Sequence, residues 1–99
     1  MATKRDTYIE KMATQLKEWS ARVDELEEKV TGSATDLRID FDVRIRDLKE
    51  KRDRLELKLR ELKDSGDDAW TIFTEGVEAA RKDLKTAIVN AKNRLRRAA

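Results

Sequence analysis

The stretch IEKMATQLKEWSARVDELEEKV, residues 9–30, decides how this chain folds. Its apolar residues Ile9, Met12, Leu16, Trp19, Val23, Leu26 and Val30 are separated by alternating steps of three and four, the seam spacing of a single helix. Residues at that spacing share one face, so the segment presents a narrow apolar stripe that partner helices must cover. The rest of the chain supplies them.

Working outward, Thr3 stands before the run with Asp6 three residues on, the pattern of a capping box, and predicts a first helix over about residues 3–31. Gly32 is suited to the left-handed conformation that closes a helix, and Ser33 with Asp36 repeats the capping pattern for the next one. The next segment is ambiguous: Leu37, Ile39, Phe41, Val43 and Ile45 alternate with charged residues as a half-buried strand does. A sevenfold repeat at Ala34, Phe41, Leu48, Leu55 and Leu62 runs through it, and no second strand exists for it to pair with, so a helix over 34–64 is expected. Ser65, Asp67 or Asp68 can cap a third helix over 67–98, with its seam at Trp70, Phe73, Val77, Ala80, Leu84, Ala87 and Ala91. Gly76 lies inside that helix, and the small residues nearby suggest a close crossing.

Three helices of nearly equal length joined by short turns predict an all-α, antiparallel up-down-up three-helix bundle, coiled-coil-like, forming a single domain over 1–99. Matching levels by helix rise alone puts Arg38, on the second helix's seam, and Arg94, on the third's, beside Glu27 and Glu28. Contacts between those groups are expected, because an unpaired Arg in a seam is costly.

Charged residues make up 44% of the chain and aromatics 5%, a balance that by itself suggests disorder, but the helical periodicity argues for order. The chain has no Cys and no His, which removes disulfides, thiolate metal sites and the commonest general base. No nucleophile stands with a base to activate it, so the expectation is no catalytic residues, no cofactor and no small-molecule substrate. Asp67 and Asp68 are read as acids at a helix start rather than as a metal site. The N-terminal residues have no signal-peptide character and no stretch is apolar enough to span a bilayer, so a cytoplasmic location is the default.

Two surfaces remain as candidates for contact with other molecules. Ile39, Val43 and Leu57 fall outside the main heptad rows and are candidates for binding a protein partner or another copy of the chain. No acid follows Asp83, while Lys92, Arg94, Arg96 and Arg97 make the last turns basic. These cations favour the negative end of a helix dipole, and they also offer a site for an anionic membrane surface. Nucleic acid is disfavoured, since bases elsewhere are diluted by acids and the aromatics lie on the seams.

Taken together, Thr3-Lys4-Arg5-Asp6-Thr7-Tyr8-Ile9-Glu10-Lys11-Met12, Gln15-Leu16-Lys17-Glu18-Trp19, Lys51-Arg52-Asp53, and Gly66-Asp67-Asp68-Ala69-Trp70 with Gly76-Val77-Glu78 resemble small bacterial coiled-coil proteins, described as a stress-response family of unknown mechanism. The resemblance spans nearly the whole chain and implies an all-helical cytoplasmic protein with no catalytic residues to carry over. A non-enzymatic bundle acting through protein contacts or self-association is therefore the leading expectation. The alternative is an apolipoprotein-like bundle whose amphipathic helices open onto a membrane surface.

Overall fold

In the computed structural model, which describes residues 3–98, helix α1 spans Lys4–Thr31, α2 spans Thr35–Asp64 and α3 spans Trp70–Ala98, with a 3-10 turn at Asp67–Ala69 leading into α3. The outermost ends of the expected domain, residues 1, 2 and 99, lie outside the described residues. Alternation of the helix directions makes a rod of 50 × 23 × 17 Å. α2 packs along both neighbours, whereas the parallel pair α1 and α3 approach each other at few points.

The heptads fill the interior as their spacing demands. Met12, Val23, Leu26 and Val30 of α1, Phe41, Ile45, Leu48, Leu55, Leu59 and Leu62 of α2, and Val77, Ala80, Leu84, Ile88 and Ala91 of α3 are buried. Ile9, Leu16, Trp19, Trp70 and Phe73 are half-buried around that core. The alternating stretch from Leu37 to Ile45 is helical, because helical periodicity lets Phe41 and Ile45 reach the core while the strand pattern has no partner strand. Leu37, which falls outside the main heptad rows, is nonetheless half-buried against the core.

The ends of the helices follow the sequence unevenly. Thr3 caps α1 with both bonds of the capping box: its hydroxyl accepts from the Asp6 amide at 3.0 Å, and its own amide donates to Asp6. Gly32 closes α1 without left-handed geometry, at φ −81°, by donating its amide to the Glu28 carbonyl. Ser33 does not cap α2. Its hydroxyl turns back to donate to the Lys29 carbonyl at 2.6 Å, and Ala34 stands at the cap with no side-chain bond. Ser65 likewise donates back to the Leu62 carbonyl, and neither it nor Asp67 or Asp68 caps α3, which is entered through the 3-10 turn instead. In both turns a serine satisfies a carbonyl of the preceding helix in preference to an amide of the following one.

Arg38 and Arg94 do not meet Glu27 or Glu28. Arg94 pairs with Asp40 at 3.4 Å, Glu27 pairs with Lys49 at 2.6 Å, and Asp24 lies 3.8 Å from Arg52. Side chains lean toward the N-terminus of their own helix, which supplies part of the shift. The rest is an axial stagger of α1 against α2, since Glu27–Lys49 and Asp24–Arg52 both lie about three turns beyond the level that helix rise from the turn gives. In antiparallel neighbours the tips therefore converge from residues further along each helix than backbone levels indicate. Gly76 marks no tight crossing either, since a methyl group there would meet only the Lys58 side chain at 3.6 Å.

Candidate interaction surfaces

The two ends of the rod differ in how the three helices are held together. At the end formed by the start of α1, the end of α2 and the start of α3, Arg5 is the common element. Its guanidinium donates to the carbonyls of Leu62 at 3.2 Å, Lys63 at 3.0 Å and Ser65 at 2.5 Å, and lies 3.3 Å from the Asp67 carboxylate. The Leu62 and Lys63 carbonyls lie in the last turn of α2 and that of Ser65 just beyond it, where the helix dipole is negative; Ser65 shares the Leu62 carbonyl with Arg5, which is the side chain that reaches the other two. One cation from α1 thereby satisfies the end of another helix. The same guanidinium sits 5.1 Å above the Trp70 ring, whose edge meets Tyr8 at 5.7 Å between centroids.

Further along, Tyr8 donates its hydroxyl to Glu78 at 2.6 Å, Arg81 binds the other oxygen of Glu78 at 3.2 Å, and Arg81 also donates to Gln15 at 3.2 Å. This chain joins α1 to α3. Partial burial, and then the bond to Glu78, push the Tyr8 hydroxyl above its ordinary ionisation range. The bond from Tyr8, with help from Arg81, holds the Glu78 carboxyl below the usual carboxylate range although burial works the other way. These residues escape a reading based on apolar seams. Their signal is that Tyr8 adjoins Ile9 while Glu78 and Arg81 adjoin Val77 and Ala80, so both sets flank a seam at helical spacing.

The expected contact residues lie elsewhere. Ile39 and Val43 are 69% and 67% exposed near the start of α2, and Leu57 is 48% exposed near its end. The interval from Ile39 to Leu57 is about five helical turns, so all three point away from the core on one face. Arg46 and Glu50, both exposed, interrupt that face, so Ile39 and Val43 form one apolar patch and Leu57 stands alone about 20 Å from Val43. Ile39 and Val43 edge an open groove of about 860 Å³ between α2 and α3, also lined by Leu48, Ala87 and Ala91.

The basic residues of the last turns are brought to the same end. Arg94 is half-exposed and engaged with Asp40, one residue from Ile39. Lys92, Arg96 and Arg97 are exposed and make no ion pair among the described residues. Among those residues there is also no cluster of three acidic, His or Cys side chains placed to hold a metal ion, and no helix is long and apolar enough to cross a membrane. In comparisons with known proteins, no family model matches the chain, and neither a curated protein nor a solved structure was found to match it.

Proposed function

We propose that this chain is a non-enzymatic helical bundle that works through protein contacts, and that the outer face of α2 at Ile39 and Val43 associates with another copy of the chain. The observation that supports this most directly is that Ile39 and Val43, 69% and 67% exposed, stand one turn apart on one helix face beside a groove, whereas Ile72, 70% exposed, stands at the other end of the rod. Two adjacent aliphatic residues beside a groove form the kind of anchor that a helix face engages. Leu57, separated from them by charged residues, acts as an outlying contact. Replacing Ile39, Val43 and Leu57 by Gln should lower the mass measured by light scattering at high protein concentration while the helical content is retained. A wild-type chain that is already monomeric at those concentrations would refute self-association.

A second reading is favoured by Lys92, Arg96 and Arg97, which lie at the end of the rod that also carries Ile39. Cations beside exposed aliphatic residues suit an anionic membrane surface, onto which the amphipathic helices open. Co-sedimentation with vesicles that contain or lack phosphatidylglycerol separates this reading from the first. A stress-related role rests on the resemblance of the sequence alone.

A further inference from the structure

The outer face of α2 carries its charges in an order that suits one orientation of a second copy. Ile39 and Val43 stand one turn apart, with Asp36 three residues before the pair and Arg46 three residues after it. All four are exposed and lie within an arc of about 80° on the helix. The apolar pair is thus bracketed symmetrically by one acid and one base. Asp36 makes no ion pair among the described residues, and Arg46 holds Asp42 by a single bond at 3.0 Å that leaves its other donors free. Beside the pair runs the groove of about 860 Å³, whose α3 wall is made of the short, uncharged Thr86, Ala87, Asn90 and Ala91.

Resting on the reading that this face self-associates, we propose that two copies meet antiparallel through it, related by a two-fold axis that passes between Ile39 and Val43. Each Ile39 then meets the partner's Val43, and each Asp36 meets the partner's Arg46, so one register satisfies the apolar and the charged residues together. A parallel pairing sets Asp36 against Asp36 and Arg46 against Arg46. A second antiparallel register, centred on Glu50, brings Val43 to the partner's Leu57 but places Arg46 against Arg54 and Glu50 against its own copy. Charge complementarity therefore selects the first register, and Leu57 stays outlying. The acids nearest the axis do not oppose it, because Asp40 and Asp42 are paired with Arg94 and Arg46 of their own chain. The low α3 wall of the groove lets the partner's aliphatic side chains lean over it without burying a charge.

The test uses the full chain at concentrations where light scattering shows the dimer. Because the sequence has no Cys, a spin label at Arg54→Cys reports a single distance. The proposed register holds the two labels about 40 Å apart along the axis, whereas the parallel pairing and the register centred on Glu50 both bring them within about 20 Å. Asp36→Arg and Arg46→Asp should each weaken dimerisation at least tenfold by sedimentation equilibrium, since each sets like charges together at both symmetric sites. The double variant D36R/R46D restores opposite charges across the axis and should return to within about threefold of wild type. Circular dichroism checks that the variants keep their helices. The label distance, measured with the charges of residues 36 and 46 intact, decides the orientation even where Asp36→Arg loosens the start of α2. A short label distance within a dimer, or a double variant that associates no more tightly than the two single ones, overturns the arrangement and leaves self-association standing. A wild-type chain that stays monomeric overturns both.

Discussion

The end of the rod around Arg5 and the end around Arg94 carry the same kinds of residues and use them differently. At the first, one arginine reaches three backbone carbonyls, a carboxylate and an aromatic ring, with its own side chain only 26% exposed. At the second, an arginine makes a single contact with Asp40, and both side chains are 49% exposed. What separates them is what the cation touches. Water competes well with an exposed carboxylate but not with the carbonyls at a helix end covered by a neighbouring helix. The Arg5 end is therefore a fixed joint and the Arg94 end has no such centre, although exposed aliphatic residues stand at both, Ile72 at the first and Ile39 and Val43 at the second.

The largest expected consequence follows from that contrast. Arg5→Ala removes the side-chain donor to the Lys63 and Ser65 carbonyls, leaves Leu62 to Ser65 alone and uncovers Trp70, and should cost about 2–3 kcal/mol in urea unfolding. Arg94→Ala should cost less than about 0.5 kcal/mol, as exposed ion pairs do. Equal costs would mean that the Arg5 contacts are not formed in solution.

Next in size is Tyr8→Phe, which keeps the ring against Trp70 but removes the bond to Glu78. A loss of roughly 1 kcal/mol near neutral pH is expected. The pH dependence sharpens the test. Because Glu78 is held ionised below its ordinary value of 4.5, its contribution is complete above that pH and is lost as the pH falls through the lower folded value. Tyr8, with its ionisation raised above 10.0, contributes fully below that pH and less as the pH rises beyond it. Both limbs should shrink in Tyr8→Phe, so the variant and wild type should converge in thermal melts as the pH falls below 4.5 through the lower folded value of Glu78. A difference that stays constant across the acid range would assign the effect to packing instead.

The contrast between the ends also explains which features could be read from the sequence. The helices, their order and the core follow from heptads, because burial at positions such as Val23, Leu62 and Leu84 depends only on periodicity. The exposure of Ile39, Val43 and Leu57 follows from the same argument in reverse. Polar contacts between helices do not, since a shift of a single turn exchanges one partner for another. Glu27 finds Lys49, three turns along α2 from Arg38, because side-chain lean and the axial stagger of α1 against α2 add up, and no sequence pattern marks a stagger. Arg5 was hidden for a different reason: its main acceptors are backbone carbonyls, which no sequence pattern marks.

The smallest predicted effect concerns the caps, where the two ends again diverge. Thr3 closes its helix with a reciprocal pair of bonds, while Ala34, at φ −60° and ψ 152°, holds a cap conformation with nothing in its side chain to bond the first amides of α2. That backbone already suits a serine, so Ala34→Ser should gain roughly 0.5–1 kcal/mol as its hydroxyl oxygen accepts a bond from the amide of Asp36 or Leu37. Serine is the better choice over aspartate because the Asp36 carboxylate is two residues away. Thr3→Ala should cost a similar amount, since it removes one such bond from an exposed helix start. If Ala34→Ser gains nothing while Thr3→Ala still costs, the start of α2 already frays in solution, and the looseness of that end extends from its side chains to its backbone. Amide hydrogen exchange over residues 35–38 distinguishes the two cases, because a capped first turn slows exchange there and a frayed one does not.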